Sequence, residues 1–155
     1  MVNAMKLAII RVRGRPGTDR DVQYALDMMK LRHVNNCVVI EDVPANVGTI
    51  KVIKDLVTWG PVTKQTLADL LRKYGRMPGN RKLTDADLKG RFKSIDDFAA
   101  ALFDGGATIG DVPSLKPLFR LKPPRKGYKH VKLPFPRGAL GNRGEKINEL
   151  IARMI

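Results

Sequence analysis

Residues 6–13 carry the sequence Lys-Leu-Ala-Ile-Ile-Arg-Val-Arg, in which four apolar residues lead into alternating arginines. Successive side chains of a strand point to opposite faces, and residues 7–10 are apolar on both. The run is therefore predicted to be a central strand that is buried on both faces. Arg11 and Arg13 are two residues apart, so we expect them to share one face where the strand emerges.

The residues that follow are typical of a small β-α-β-α-β unit. Gly14-Arg-Pro-Gly17 is a turn signal, and Pro44 ends a second apolar run. The predicted elements are a helix that Thr18 caps and that ends near Arg32, a strand over residues 36–41, a helix from Asn46 to about Lys54, and a strand over residues 56–59. The connections are short, as expected inside one domain.

The middle of the chain is predicted to be helical. Thr63 is placed to cap one helix, and Thr84 and Ser94 each precede an aspartate by three residues, as in capping boxes. Gly75 stops the first of these helices, and residues 76–82 are predicted to form an exposed basic linker.

Beyond residue 112 the composition changes. Six prolines in residues 113–136 exclude a long helix there but allow a short strand at 118–121. A last helix from about Glu145 has an apolar face that must dock on the rest of the protein. We predict a core domain over residues 1–61 and an extension over 62–155, which contains a Pro/Gly-rich basic loop at 113–144 and a C-terminal helix at 145–155.

The overall composition is that of a basic globular protein. The 155 residues include 29 Lys plus Arg against 15 Asp plus Glu, a formal charge of +14, and 43% are hydrophobic. The single Cys37 excludes a disulfide-stapled secreted domain. The apolar runs are far shorter than the roughly 20 residues that span a bilayer, and the N-terminus is not that of a signal peptide. We therefore expect a cytoplasmic protein with a polyanionic partner, nucleic acid before anionic membrane.

The positive charge is concentrated near the C-terminus. Residues 113–155 carry a net charge of +9, and no acidic residue lies between Asp111 and Glu145. Unopposed like charges repel one another and destabilise a compact structure. This stretch is therefore interpreted either as a flexible solubilising tail or as a segment that binds a polyanion. The candidate RNA-binding residues in it are Lys116, Arg120, Lys122, Arg125, Lys126, Tyr128, Lys129, His130, Lys132, Arg137 and Arg143.

Within this stretch, Lys122-Pro-Pro-Arg125-Lys-Gly-Tyr128 carries the strongest chemical signal. A proline-stiffened backbone holds cations that neutralise phosphates and release condensed counterions. Arg125 can bind a phosphate through two hydrogen bonds. Tyr128 can stack on an unpaired base, or it can be a half-buried anchor of the loop.

Arg11, Arg13 and Arg15 form a second candidate phosphate contact at the end of the first strand. The Gly14-x-x-Gly17 spacing faintly suggests a phosphate-binding loop. It lacks the Gly-Lys-Ser/Thr of the P-loop and the third glycine of the dinucleotide fingerprint, so we interpret it as a plain turn.

No arrangement of residues predicts catalysis, a metal or a cofactor. His33 and His130 are far apart, and His33 with Cys37 supplies too few ligands for zinc. The paired aspartates stand where helix caps favour acids. We therefore expect neither an enzyme nor a small-molecule substrate.

Several motifs resemble the large-subunit ribosomal protein thirty family in its long archaeal form. They are Leu7-Ala-Ile-Ile-Arg-Val-Arg-Gly14, Leu31-Arg-His-Val-Asn-Asn-Cys37, Gly48-Thr-Ile-Lys-Val-Ile-Lys-Asp-Leu-Val57, Leu121-Lys-Pro-Pro-Arg-Lys-Gly127 and Gly138-Ala-Leu-Gly141. They occur in the family's order along essentially the whole chain.

The resemblance implies an α+β fold with a ferredoxin-like β-α-β-α-β core, whose three-stranded antiparallel sheet has the order 3-1-2 and two helices on one face. It also implies a structural, non-catalytic protein that binds large-subunit ribosomal RNA near the 5S RNA and contacts neighbouring ribosomal proteins. The archaeal loop often has Gly-Gly where this chain has Lys126-Gly127, a change expected to add little beyond charge.

Two other functions fit the composition alone. A general DNA-binding architectural protein would share the charge, but the sequence has no helix-turn-helix, zinc pattern or basic recognition helix. An enzyme that acts on a phosphorylated substrate would depend only on the turn at Gly14 to Gly17. The leading hypothesis is a ribosomal RNA-binding constituent of the large ribosomal subunit.

Overall fold

A computed structural model describes residues 5–88, 90–112 and 114–155. The first four residues of the predicted core domain and Pro113, the predicted start of the basic loop, lie outside the described residues. Lys89 also lies outside them.

Strands and helices alternate through the first 61 residues, and the longer elements after that are helices. The strands are β1 (Lys6–Arg11), β2 (Asn36–Glu41), β3 (Val57–Pro61), β4 (Arg76–Met77), β5 (Arg81–Lys82), β6 (Phe119–Arg120) and β7 (Gly141–Asn142). The helices are α1 (Arg20–Met28), α2 (Pro44–Ile53), α3 (Lys64–Tyr74), α4 (Ile95–Asp104) and α5 (Ile147–Met154).

The main sheet has five strands in the order β6-β2-β1-β3-β7. Strand β1 is antiparallel to both β2 and β3, β6 is antiparallel to β2, and β7 is parallel to β3. The α+β class is confirmed, and β3, β1 and β2 have the predicted order 3-1-2 and antiparallel pairing, but the sheet has five strands instead of the predicted three. Two-residue strands from the extension pair with both outer edges, and the parallel strand β7 makes the sheet mixed.

Strand β1 is the centre of the core, because all six of its residues are buried. The prediction of a central strand buried on both faces is therefore confirmed. On one face, Leu7 and Ile9 pack with Leu26 of α1 and with Ile50 and Ile53 of α2. Helices α1 and α2 thus cover one side of the sheet.

The other face of the sheet is covered by the extension. Ala8 and Ile10 belong to a cluster that includes apolar residues of α3, α4 and α5. The inner residues of α5 (Ile147, Leu150, Ile151 and Met154) are fully buried in that cluster. The predicted docking of the last helix is confirmed, and the sheet lies between two layers of helices.

Three local predictions are wrong for identifiable reasons. The cap of α1 is Asp19 and not Thr18, whose hydroxyl turns back and donates to the carbonyl of Gly14. Helix α2 begins at Pro44 and not at Asn46, because proline suits the first helical position. Strand β1 ends at Arg11 and not at Arg13, since the N–H groups of residues 12 and 13 both donate to Leu56 O.

Further along the chain, the predicted caps agree better with the structure. Thr63 and Ser94 each accept a backbone N–H at the start of α3 and α4. Thr84 and Asp87 are hydrogen-bonded to each other, but they open a short 3₁₀ turn. The predicted exposed linker at residues 76–82 is instead the hairpin of β4 and β5, which a turn through Pro78–Asn80 closes.

No helix among the residues that the structure describes is both long enough and apolar enough to cross a membrane.

Gly60 allows α5 to reach the sheet. A methyl group on Gly60 would collide with the carbonyl of Gly144 and crowd the side chain of Ile147. Replacing Gly60 with alanine is expected to lower the free energy of unfolding by about 1–3 kcal/mol, because overpacking forces the backbone to shift. Urea denaturation followed by circular dichroism measures this decrease.

Gly48→Ala is the matched control for Gly60→Ala. Gly48 lies in α2, where an added methyl group would meet no atom within 4 Å. Alanine is the better helix former, so this variant is expected to gain about 0.5–1 kcal/mol. If Gly60→Ala were as stable as the wild type, the close packing of α5 on β3 would be contradicted.

Candidate nucleic-acid interface

One end of the main sheet brings three parts of the chain together. Because β1 is antiparallel to both neighbours, its C-terminal end lies beside the N-terminal ends of β2 and β3. Ile10 pairs with Cys37, and Arg11 pairs with Val57. The turn after β1, the loop before β2 and the start of β3 therefore share this end of the sheet.

Residues 119–142, here called the basic segment, extend across this end from one sheet edge to the other. Strand β6 at its start pairs with Asn36 and Cys37 of β2, and strand β7 at its finish pairs with β3. Between these strands, Ala139 and Leu140 pack against Val12, just after β1. The segment is thus fixed to β2, β1 and β3 in turn.

Tyr128 anchors the middle of the basic segment. Its hydroxyl donates to Asn35 Oδ1 at 2.6 Å, and burial raises the pKa of this hydroxyl to about 12, so it remains a donor. The N–H of Asn35 donates to Arg11 O, and its carbonyl accepts from the N–H of Leu121. Of the two roles considered for Tyr128, the half-buried anchor is the one that the structure supports.

The Pro124-to-Gly127 turn of the basic segment is held by the end of α5. The Arg125 N–H donates to Arg153 O, and the Arg153 guanidinium donates to the carbonyls of Arg125 and Gly127. The turn itself is closed by the Gly127 N–H on Pro124 O, at 3.0 Å. Arg125 and Lys126 are therefore presented at the surface on a braced turn.

Most predicted cations of the basic segment are exposed to solvent. These are Arg120, Lys122, Arg125, Lys126, Lys129, Lys132 and Arg137, and His130 is exposed with them. None of the seven Lys and Arg side chains forms an ion pair with any part of the chain that the structure describes. Their charge has no counter-charge within the described protein.

Ion pairs occur instead on the remaining surface. Arg72, Arg81 and Arg91 bind aspartates, and Lys64 lies 3.9 Å from Asp104. The hydrogen bonds of Arg81 and Thr84 hold the pKa of Asp87 well below its ordinary value. The described ion pairs therefore all lie outside the basic segment, whose seven exposed Lys and Arg side chains form an unpaired cluster.

Arg11 is misplaced in the predicted phosphate-binding set. It is only 2% exposed, and its Nη1 donates to Leu31 O and Arg32 O at 2.7 and 3.0 Å, while its Nε donates to Arg13 O. Burial lowers the pKa of Arg11, yet an arginine remains charged at neutral pH. It ties the loop before β2 to the end of β1. The expected shared face with Arg13 does not form, because the strand has ended by then.

Arg143 is also an internal anchor. It is 8% exposed, its Nε donates to Thr58 Oγ1 at 3.0 Å, and its Nη2 donates to Ala139 O. Its guanidinium lies 5.3 Å from the centre of the Phe135 ring. It fastens the end of the basic segment to β3 and is not available to a phosphate.

The two predicted sites meet at this end of the sheet, although they are more than 100 residues apart in sequence. Arg15 is exposed and Arg13 partly exposed in the turn after β1, beside the basic segment. Lys116 is partly exposed but precedes the segment, and its N–H donates to Arg76 O of β4. Arg13 and Arg15 therefore join the candidate surface, whereas Lys116 lies beside the hairpin.

Sequence reasoning missed Lys30, Arg32 and His33 in the loop before β2. Together with Leu118 and Arg120, they line one cleft at the sheet end. The signal was present: an antiparallel partner brings the start of β2 beside the end of β1. We call the exposed cations of the basic segment, together with Arg13, Arg15, Lys30 and Arg32, the cationic surface.

The described residues contain no group of three or more His, Cys, Asp or Glu side chains that could hold a metal ion. Cys37 is buried, and its burial raises the pKa of the thiol to about 12, so it is a core residue and not a nucleophile.

Comparison with known proteins gives consistent matches. The sequence model of the family described as ribosomal protein L30p/L7e matches residues 7–57. Large ribosomal subunit protein uL30 of Archaeoglobus fulgidus is 46% identical over 149 residues, which cover 95% of this chain and 98% of that protein. The uL30 proteins of Methanoculleus marisnigri (46% identical, 95% of this chain and 98% of that protein) and Methanopyrus kandleri (44% identical, 93% and 100%) are similar over the same extent.

Arg11 is buried and Arg15 is exposed, so the same substitution is expected to destabilise the protein at position 11 and to leave its stability nearly unchanged at position 15. Arg11→Met removes the donors to three carbonyls, and each buried acceptor left unpaired costs about 1–3 kcal/mol. Arg15→Met changes an exposed side chain, so its stability is expected to stay within about 0.5 kcal/mol of the wild type. Urea denaturation of both variants tests the assignment. Equal decreases in stability would show that Arg11 does not have the anchoring role described above.

Proposed function

The chain belongs to the ribosomal protein L30p/L7e family, and from that premise we propose that its cationic surface binds ribosomal RNA of the large subunit. As a member of this family it is a structural constituent of the large ribosomal subunit, it is not an enzyme, and it supports translation. Its partners are ribosomal RNA and neighbouring ribosomal proteins.

The observation that carries the assignment of this surface is the concentration of seven exposed Lys and Arg side chains in residues 119–142, a segment that contains no acidic residue. Lys64, Arg72 and Arg81 have carboxylate partners, whereas the exposed cations of the basic segment have none among the described residues. A cluster of like charges destabilises the compact state unless another molecule neutralises it. A chain of phosphates supplies that neutralisation and releases condensed counterions on binding.

We propose that recognition depends mainly on phosphates and on RNA shape. The deep, narrow major groove of A-form RNA excludes side chains. Cations at fixed positions on the protein therefore recognise RNA through the spacing of its phosphates. The proposal is supported by the way the basic segment is held, with strand pairs at both ends and Tyr128 at its middle. Such fixed positions reduce the ordering cost of binding.

Lys126 combines charge with an unfavourable backbone conformation. Its φ is +65°, in the left-handed region that favours glycine. The sequence-based expectation that Lys126 adds little beyond charge is therefore wrong, because the side chain is kept at a position where it strains the backbone. The presence of a lysine at a position whose backbone favours glycine supports a role for its charge in RNA binding.

Two more specific expectations, one about the division of the chain and one about its position in the subunit, are part of the proposal. The first is the division into a core over residues 1–61 and an extension over 62–155, supported by the family match to residues 7–57. The second is a position near the 5S RNA, supported by the resemblance alone. Crosslinking of the assembled subunit from Lys126 tests this position, and crosslinks confined to RNA distant from 5S RNA would contradict it.

Two substitutions of Lys126 distinguish the effect of its charge on RNA binding from the effect of its backbone conformation on stability. Lys126→Gly and Lys126→Ala are both expected to weaken binding to a large-subunit rRNA fragment. Each should reduce the slope of log affinity against log salt by about 0.7–0.9, the value for one phosphate that the protein no longer neutralises. Lys126→Gly is also expected to be about 1 kcal/mol more stable than Lys126→Ala, since only glycine adopts this φ without strain.

Lys64→Gln is the control, because Lys64 is exposed, paired with Asp104, and outside the cationic surface. The salt slope of Lys64→Gln should match that of the wild type. Binding is measured by filter retention at several salt concentrations, with duplex DNA as competitor. An unchanged slope for both Lys126 variants would remove the turn from the interface, and equal competition by duplex DNA would favour a general architectural protein.

A further inference from the structure

A continuous concave surface follows α1 at the same end of the sheet. Arg15, Gln23 and Asp27 line both a cleft that reaches Tyr24 and an adjoining one that reaches Arg32 and His33. Arg32 and His33 also line a third cleft, which reaches Arg120 of the basic segment. We call this chain of clefts the α1 groove.

The α1 groove is predominantly cationic. Arg15, Arg20, Lys30, Arg32 and Arg120 line it, and none of them forms an ion pair within the described part of the chain. Asp27 is the one acidic residue in the described lining. An extended anion fits this arrangement better than a single small ion, because the cations are spread along the groove.

Tyr24 provides a large exposed aromatic ring at one end of the groove. It is 67% exposed, more than any other large hydrophobic residue described. Helix α1 directs Leu26 into the core and leaves Tyr24 outside, so packing within the chain does not account for the ring. An exposed aromatic ring beside cations is typical of sites that stack unpaired bases.

Gln23 is a second residue of this cleft with an unusual environment. Its Nε2 is buried and has no hydrogen-bond partner among the described residues, although buried amide donors are nearly always paired. It lies next to Tyr24 in sequence and lines the same cleft, whose volume of about 470 Å³ lies in the range of ligand sites.

We propose that the α1 groove holds a single-stranded, unpaired segment of RNA, with one base stacked on Tyr24 and the backbone phosphates along Arg15, Arg32 and Arg120. The site deepens the proposed ribosomal RNA-binding function and rests on it. It assigns a second mode of recognition to the protein, because the basic segment offers phosphate contacts whereas this groove offers an aromatic ring to a base.

The test uses an oligoadenylate of about 12 nucleotides, a length within the site sizes of single-strand binding proteins. Tyr24→Ala is expected to weaken its binding to the full chain by about 5- to 150-fold, the equivalent of one stacked base. Tyr24→Phe retains the ring and should bind as the wild type does. Neither variant should change the salt slope, because the side chain of Tyr24 carries no positive charge that neutralises a phosphate.

Two controls separate the groove from general effects. Phe103→Ala removes an exposed ring from α4, outside the groove, and should leave oligoadenylate binding unchanged. Arg32→Gln should reduce the salt slope for the same oligonucleotide by about 0.7, as expected for one phosphate of a single strand. An RNA duplex of the same length should bind wild type and Tyr24→Ala equally.

Unchanged oligoadenylate binding by Tyr24→Ala would overturn the proposal, as would an equally weakened Tyr24→Phe. The proposal would also be overturned if a poly-glutamate peptide bound the wild type as tightly as oligoadenylate does and if Tyr24→Ala weakened the binding of both equally. That result would assign the groove to an acidic protein segment. Binding of the large-subunit rRNA fragment by the wild type is measured in parallel. Failure there contradicts the proposed function, whereas failure confined to the Tyr24 variants contradicts only the stacking site.

Discussion

The burial of β1 on both faces is the constraint on which the remaining structure depends. A strand with apolar residues on both sides needs a layer of helices on each, and α1 with α2 can cover only one. The extension supplies the second layer through α3, α4 and α5. Because β1 is antiparallel to both neighbours, the same strand brings three chain segments to one end of the sheet, where the cationic surface forms.

Two chemically similar sets of residues have opposite roles at this end. Arg11, Arg143 and Tyr128 are buried or half-buried, and their polar atoms bind Leu31, Thr58 and Asn35 within the chain. The exposed cations depend on these anchors for their positions, but have no partners of their own among the described residues. Internal hydrogen bonds thus hold together a surface whose charges repel one another, and in the proposed complex RNA phosphates neutralise those charges.

The sequence predicted the elements with strong periodicity and missed features that only tertiary pairing creates. The apolar stripe of α5 and the two apolar faces of β1 could be predicted because burial leaves a pattern of apolar residues along the sequence. The short strand predicted at residues 118–121 contains β6, but its pairing with β2 was not foreseen. Strand β7 has two residues, too few to carry a pattern, and was missed. Arg11 and Arg143 look like surface cations in sequence. Their burial depends on carbonyls of Leu31 and Ala139, which only the folded chain supplies.

Chemical protection of lysines shows which end of the sheet RNA covers. Amidination of the free protein and of its complex with a large-subunit rRNA fragment, read by mass spectrometry, compares exposed lysines at both ends of the sheet. We expect RNA-dependent protection of the basic segment's lysines, Lys122, Lys126, Lys129 and Lys132, and unchanged reactivity of the exposed, ion-paired Lys64 and Lys146. Protection of Lys64 and Lys146, with the basic segment remaining reactive, would contradict it.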